Sequence, residues 1–489
     1  MRRLAIRSGL AGACVLVSAM ASIGSASEPA AIRAAEDDER SQSTQLISRA
    51  LDGGTPNGPS TNPVISNDRR FARYVAFESE ASDLVRGDGN GVKDVFAVRR
   101  AGSFRNNGSA WRRGATVLLS RARRGSANGP SFAPAVSGGF NHAPSCVAFL
   151  SKASNLVKGD TNRKVDAFVV RRLGARPVRV SLPGRRQARK DTTHVAVSGN
   201  CSRIAFVTGG RLYVAAGRRV KALKAPGRAG DPAFASGMND DLVFAAKRGV
   251  YLSRKATGKP KLVGPGGRNP VFNDIDKAPP ACKRPTLAYE RMQGGHWQVV
   301  SHVLGRGARV VSRRNGSLGN GDSRNPVIGN AGCYVTFESD ASNLGVNASN
   351  RTGDSNRKPD VYLFTAVRDI TLVQSVKTKA VPAAGGGRNP SMSFYANYIV
   401  FDSPAPMEDQ GLLDCIDPDD VLPDDEVDPP VDVPPGTGDV DLGLPIPYVD
   451  PNLPPILARG GKSPVLCDEG AAADDGRSRQ VFMRYLGPV

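Results

Sequence analysis

The sequence predicts an all-β protein, a seven-bladed β-propeller of four-stranded antiparallel blades, and three observations carry that expectation. A short apolar alternation ending on an aromatic ring occurs at Val75-Ala-Phe77, Val147-Ala-Phe149, Ile204-Ala-Phe206, Leu242-Val-Phe244, Leu287-Ala-Tyr289, Val335-Thr-Phe337 and Ile399-Val-Phe401. Each copy follows a small-residue segment, such as Asn62-Pro-Val-Ile-Ser66 or Asn325-Pro-Val-Ile-Gly329, and precedes another apolar run. Self-similarity at this period marks a repeat architecture whose unit is several strands long. Composition agrees, since 54 glycines and 36 prolines among 489 residues suit short strands joined by many turns rather than long helices.

The elements follow in chain order. Arg2, Arg3 and Arg7, the apolar stretch from Leu10 through Ile23 and the small residues Gly24-Ser-Ala26 have the layout of an export signal, assigned to residues 1–26. Cys14, in Leu10-Ala-Gly-Ala-Cys14, offers a lipidation site as the lesser alternative, because the apolar stretch before it is short. Residues 27–41 read as a flexible linker and residues 42–404 as the propeller. No other segment approaches the roughly 20 apolar residues of a membrane helix, so the expected product has no membrane span, is a monomer, and is extracytoplasmic, either secreted or held in the periplasm or cell envelope.

Within the repeat, the innermost A strands are expected near Pro63, Ala135, Val195, Ala233, Val271, Val327 and Ser391, and the B strands carry the seven aromatics. C strands follow at Val95–Val98, Ala167–Val170, Leu212–Val214, Val250–Leu252, Trp297–Val300, Val361–Phe364 and Val481–Met483. D strands follow at Thr116–Ser120, Val178–Val180, Val220–Leu223, Lys261–Val263, Val310–Ser312 and Ile370–Val373. The seventh unit lacks a fourth strand after Met483, yet Gln45-Leu-Ile-Ser-Arg49 parallels Leu118-Leu-Ser-Arg121. The N-terminal segment is therefore expected to pair with the last propeller strand, in residues 478–489, and close the ring, which removes exposed sheet edges.

Past the signal stand Cys146, Cys201, Cys282, Cys333, Cys415 and Cys467, an even set with no CxxC pair, which in an oxidising compartment favours disulfides. Cys146 and Cys201 precede the B strands of neighbouring units, as do Cys282 and Cys333, so the expected pairs are 146 with 201, 282 with 333 and 415 with 467.

Three B-to-C connections share a longer line: Glu78-Ser-Glu-Ala-Ser-Asp-Leu84, Leu150-Ser-Lys-Ala-Ser-Asn-Leu156 and Glu338-Ser-Asp-Ala-Ser-Asn-Leu344, each followed by an Asp-x-Asn loop. With the strand before them, these resemble the TolB-type, WD-like propeller repeats of exported bacterial proteins, over about residues 42–404 and the final strand. The resemblance implies the fold. TolB proteins usually have six blades and a separate N-terminal domain that contacts their partners; neither is evident here, so those partners do not carry over.

The loop spacing Asp88, Asn90, Asp94, with its copies Asp160, Asn162, Asp166 and Asp354, Asn356, Asp360, fits either an Asx turn or the start of a calcium loop, though the late bidentate Glu is missing. No cofactor is required by the reading, and calcium is the one the loops could take. Ahead of three A strands stand Arg268-Asn269, Arg324-Asn325 and Arg388-Asn389, each before Pro, which places these arginines at the channel mouth on the D-to-A loop face. They are either solvated turn residues or ligand-binding groups for carboxylate or phosphate.

The net charge of +20 arises from 66 basic and 46 acidic residues, although residues 405–477 form an acidic, proline-rich insertion in blade seven that is expected to be disordered. That insertion leaves on the face of the arginines, so it either solvates or competes for the basic mouth. Basic charge permits nucleic-acid contact, but without aromatic-rich basic motifs no specific nucleic acid is expected; envelope proteins or anionic polymers fit better. His142, His194, His296 and His302 are the only histidines, and none sits in a recognisable catalytic motif. The leading reading is a protein-binding or anion-binding module at the envelope, more an interaction module than an enzyme; a propeller hydrolase or lyase with a channel site is the alternative.

Overall fold

A computed structural model describes residues 44–69, 71–102, 111–140, 142–183, 186–236, 239–274, 284–329, 332–344, 356–366, 369–375, 385–404 and 479–486. Their alternating apolar runs form seven four-stranded antiparallel sheets. Blade 1 runs Ser60–Ile65, Tyr74–Ser79, Asp94–Arg100 and Arg113–Leu118. Blade 2 runs Ser131–Val136, Val147–Ser151, Asp166–Val170 and Val178–Arg179. Blade 3 runs Thr192–Val197, Ile204–Thr208, Arg211–Ala216 and Arg219–Leu223, and blade 4 Gly230–Phe234, Leu242–Ala246, Gly249–Ser253 and Lys261–Pro265.

Blade 5 has longer inner strands, Gly267–Asn273, Thr286–Gln293 and His296–Val303, followed by Gly307–Val310. Blade 6 runs Ser323–Gly329, Tyr334–Ser339, Asp360–Thr365 and Ile370–Val373. Blade 7 takes Arg388–Met392, Tyr398–Ser403 and Gln480–Tyr485 from the C-terminal part and Thr44–Leu46 from the N-terminal part. The expected closure is observed: Thr44 stands opposite Arg484 and Leu46 opposite Phe482 in an antiparallel pair. The first strands of consecutive blades contact one another all the way round, including blade 7 with blade 1, so seven A strands encircle the axis.

The core lies between blades. Phe149 and Phe168 of blade 2 pack with Ala76, Val95 and Ala97 of blade 1, all buried. Within a blade the B-strand ring stands opposite a C-strand ring, with centroids 5.9 Å apart for Phe77 and Phe96, 5.8 Å for Phe149 and Phe168, and 5.9 Å for Phe337 and Tyr362. Each such ring buries roughly 150 to 250 Å², on the order of 4 to 6 kcal/mol of transfer free energy before chain entropy is charged.

Three D strands end earlier than the apolar pattern suggests, at Leu118, Arg179 and Val310. The physical reason is a serine that stops the ladder. Ser120 accepts from the Val95 amide and Ser312 from the Val299 amide, each at 3.0 Å, so a hydroxyl replaces the strand carbonyl. Ser48, Ser181 and Ser375 do the same for Val481, Ala167 and Val361. After Val310 the chain adds a small hairpin, Arg313–Arg314 with Ser317–Leu318.

Cys146 and Cys201 form the expected disulfide, tying blade 2 to blade 3. Cys333 is disulfide-bonded; Cys282, its expected partner, lies outside the described residues, as do Cys415, Cys467, the segments 1–26 and 27–41, and the acidic insertion apart from its boundaries.

Candidate functional site

The mouth of the channel is built from a defect repeated in the A strands. The register between A and B slips at the same place in blades 1, 2, 4, 5, 6 and 7. There Asn62, Ala133, Asp231, Asn269, Asn325 and Asn389 adopt φ of 53°, 52°, 45°, 46°, 52° and 51°. A β-bulge of this kind frees a backbone amide from the ladder, and asparagine tolerates the left-handed conformation better than most residues. The Asn-Pro pairs thus encode bulges, with the proline where no ladder amide is needed.

Those freed amides are capped from the preceding blade by carboxylates. The Asn62 amide donates to Asp402 at 3.0 Å, Ala133 to Glu78 at 2.9 Å, Asn325 to Glu290 at 2.9 Å and Asn389 to Glu338 at 2.7 Å. The Asn269 amide donates to Asp231, 3.2 Å away. The sequence reading did not single out these acids as site residues. Their signal was present, for an acid follows the B-strand aromatic in Phe77-Glu78, Tyr289-Glu290, Phe337-Glu338 and Phe401-Asp402.

Arg268, Arg324 and Arg388 stand at the starts of their A strands beside these bulges, and each meets a carboxylate. Arg268 donates from Nε to Glu290 at 2.8 Å, and its guanidinium carbon lies 3.4 Å from the Trp297 ring centroid. Arg324 pairs with Asp322, and Arg388 stands 3.9 Å from Asp340. The asparagines knit the ring: Asn269 donates to Glu290 and to Asn325, at 2.8 and 3.0 Å, and Asn389 donates to Asp402 at 2.7 Å. Arg479, at the far boundary of the insertion, also bonds Asp402, at 2.6 Å. Burial pushes the Glu338 carboxyl up, against the lowering influence of the Asn389 amide and Arg388.

Glu290 spends both oxygens on these contacts, yet the arginine side chains remain 38% exposed at Arg268, 39% at Arg324 and 45% at Arg388. Neither terminal nitrogen of Arg268 has a partner among the described residues. The carboxylates therefore hold the arginines without covering them. Across the mouth, Thr193 Oγ1 lies 2.9 Å from His194 Nδ1, and His194 Nε2 lies 3.1 Å from Asp231 Oδ1. Burial acts to raise the Asp231 carboxyl, but the His194 contact, the Asn269 amide and Arg268 outweigh it and hold it low.

The Asp-x-Asn loops are tied internally. Asn90 donates to Asp94 at 2.6 Å and Asn162 to Asp166 at 2.9 Å, while their side-chain oxygens accept from Val92 and Lys164. Asn356 likewise accepts from Lys358; Asp354 lies outside the described residues. Asp94, Asp166 and Asp360 accept from the strand-ending Ser120, Ser181 and Ser375, a role that the neutral Gln298 and Gln480 fill in blades 5 and 7. Burial pushes Asp94 up to about 6 and raises Asp88 and Asp160, the latter 2.9 Å from Arg179. The Ser-Asx pair of the shared line latches the preceding D-to-A loop, as Asn57 with Ser82 and Asp83, Asn128 with Ser154 and Asn155, and Asn320 with Ser342 and Asn343.

No protein-family model matches the chain, and no curated protein matches it. Similar solved structures include a protein assigned to TolB from Agrobacterium tumefaciens, 12% identical with TM-score 0.32, covering 44% of this chain and 71% of that one. An oligogalacturonate lyase from Vibrio parahaemolyticus is 8% identical with TM-score 0.41, over 74% of this chain and 94% of its own. An oligogalacturonate lyase in complex with manganese is 11% identical with TM-score 0.41, over 74% and 93%. The manganese is that lyase's; among the described residues here, no group of three His, Cys, Asp or Glu side chains is placed to hold a metal ion. No described helix is long and apolar enough to cross a membrane.

Proposed function

We propose that the protein is an exported binding module that engages acidic proteins or anionic polymers of the cell envelope through its channel mouth. The carrying observation is the set of three arginines on consecutive blades, with Arg268 and Arg324 anchored by Glu290 and Asp322, Arg388 3.9 Å from Asp340, and guanidinium surface left open on each. Arginine held in this way loses little freedom when it takes a carboxylate, which is the benefit of a preorganised site. The Asp-x-Asn loops act in this reading as turns that set the rim, and their calcium alternative predicts a stabilising calcium heat by calorimetry.

Fluorescence anisotropy with labelled polyglutamate tests the mouth. Wild type should bind in a salt-dependent manner, and the Arg268→Ala, Arg324→Ala, Arg388→Ala triple variant at least tenfold more weakly; equal isotherms would remove the rim from consideration. A channel hydrolase or lyase is the second reading, favoured by the contact of His194 with Asp231 and by the raised Glu338 carboxyl in the same ring. Turnover of an envelope polymer that His194→Ala abolishes would establish it in place of simple binding.

A further inference from the structure

The end of the channel opposite the rim is shut by an aromatic plug. Phe140, in the A-to-B connection of blade 2, lies with its ring 5.4 Å from that of Phe394 in blade 7, while its amide donates to Ser236 in blade 4. Arg69 of blade 1 stacks on Phe140 at 4.5 Å and donates to its carbonyl at 2.5 Å. A residue of blade 2 that meets blades 7, 1 and 4 at once stands at or beside the axis of a seven-membered ring. Tyr395 packs edge-on against Phe394, 5.0 Å away, and Phe394 is buried. Small residues allow this convergence: Gly138, at φ +129°, donates its amide to Gly199 of blade 3, and a Cβ on Gly199 would lie 3.2 Å from the Gly138 carbonyl. In blade 6, a Cβ on Gly329 would come within 2.7 Å of the Phe394 carbonyl.

Between rim and plug, the innermost strands of six blades carry a half-buried small apolar residue, Val64, Ala135, Val195, Ala233, Val271 and Val327, and in blade 7 the buried Ser391 takes that place. Among the described residues the channel is thus a cup with a mostly apolar wall, an aromatic floor and a rim whose arginines lie on blades 5 to 7. At the rim positions matching Arg268 stand Thr61, Phe132, Thr193 and Gly230 on the other side. A polymer cannot thread a channel closed at one end, and a hydroxyl-rich or highly charged group gains nothing from a wall of valine and alanine.

We propose that the cup takes the end of a ligand rather than its middle: a terminal carboxylate carrying a compact apolar group, with the carboxylate on Arg268, Arg324 and Arg388 and the apolar group directed down the wall. The inference rests on the anion-binding reading of the rim. A free acylated apolar amino acid and the C-terminus of a polypeptide present the same chemistry, and direct burial of the apolar group adds to the ionic contact.

Isothermal titration with N-acetyl-leucine, N-acetyl-leucinamide and N-acetylglycine tests it. Wild type should bind N-acetyl-leucine at least tenfold more tightly than the amide or the glycine analogue, and Arg388→Ala should weaken that binding. The single variant is chosen because the one ion pair of Arg388 among the described residues is with the exposed Asp340, so the buried hydrogen bonds of the rim are kept. A leucine-ended peptide with a free carboxylate distinguishes the sources, binding more tightly than N-acetyl-leucine if a polypeptide is the ligand and equally if a small molecule is. Acid and amide bound alike, or polyglutamate bound while N-acetyl-leucine is not, would overturn end-on recognition and leave the anionic rim standing. Failure of both acid and polyglutamate to bind would overturn the rim as well.

Discussion

Blades 5, 6, 7 and 1 reach the next blade with the acid that follows the B-strand aromatic, whereas blades 2, 3 and 4 carry no acid at that place and close their seams through other residues. In the first group Glu290, Glu338, Asp402 and Glu78 each cap the bulge amide of the next blade. At the matching places in the second group stand Leu150, Val207 and Ala245. There the disulfide of Cys146 and Cys201 joins blade 2 to 3, His194 with Asp231 joins 3 to 4, and Asp231 reaches on to blade 5. Acids that follow the B-strand aromatic thus sit beneath the arginines, where they also orient cations, and the side without arginines relies on a covalent link, a histidine and Asp231.

The aromatic column is common to both sides, so the largest effect should not distinguish them. Phe149→Ala in blade 2 and Phe337→Ala in blade 6 should each cost roughly 3 to 5 kcal/mol, read from urea unfolding midpoints. A loss confined to one side would mean that the two halves fold as separate units. Replacing Cys146 and Cys201 by alanine should cost about 4 kcal/mol in the chain-entropy picture for a link spanning 55 residues. A midpoint unchanged by that pair of substitutions would show that packing alone holds the second seam.

Acid titration should separate Asp94 from Asp231 by sign. Asp94, in blade 1, has its folded pKa raised to about 6 from 3.8, chiefly by burial. Its ionised form therefore opposes folding at pH 7, and stability rises as the pH falls through about 6 toward 4, by an amount on the order of 3 kcal/mol. Asp231, in blade 4, has a lowered folded pKa; its contribution is complete above the ordinary carboxylate range and is lost only as the pH falls through that lower value. Asp94→Asn should flatten the thermal midpoint between pH 4 and 7 and leave the acid limb in place. A slope that persists in that variant would assign it elsewhere.

A smaller loss, about 1 to 3 kcal/mol, is expected for Glu290→Gln. The amide oxygen can still accept from Asn325 and Asn269, but its NH₂ faces the Nε–H of Arg268, two donors opposed. An unchanged midpoint would mean that the carboxylate contributes orientation alone.

The propeller was legible because its signal repeats: the aromatic ending each B strand occupies the same inter-blade position in each blade, so position and period reinforce one another. The D strands were less so, since Ser120 and Ser312 end them through side-chain bonds that apolar pattern does not register. At the rim, Arg268, Arg324 and Arg388 were visible as a local motif, and Asp322 lies only two residues before Arg324, but Glu290 and Asp340 gained meaning only from contacts between strands. In the sequence Phe140 is one residue of the short Gly138-Gly-Phe140 stretch between the A and B strands of blade 2. Its place at the axis depends on blades 1, 4 and 7 converging on it, and nothing local in Gly138-Gly-Phe140 encodes that.

The smallest stability change is expected where the rim is most open. Arg388 and Asp340 are 3.9 Å apart, with side chains 45% and 51% exposed, and a pair so hydrated contributes under about 1 kcal/mol. Asp340→Ala should leave the unfolding midpoint nearly unchanged while removing the one ion-pair partner that Arg388 has among the described residues. If the arginines of blades 5 to 7 receive an anion, polyglutamate should then bind more tightly at low salt, with the gain fading as salt screens it. Glu290→Gln should do the reverse, lowering stability more and disturbing the orientation of Arg268. Weaker polyglutamate binding by Asp340→Ala would mean that the carboxylate positions Arg388 rather than competing for it, and the distinction between buried orienting acids and exposed competing ones would fail at this residue.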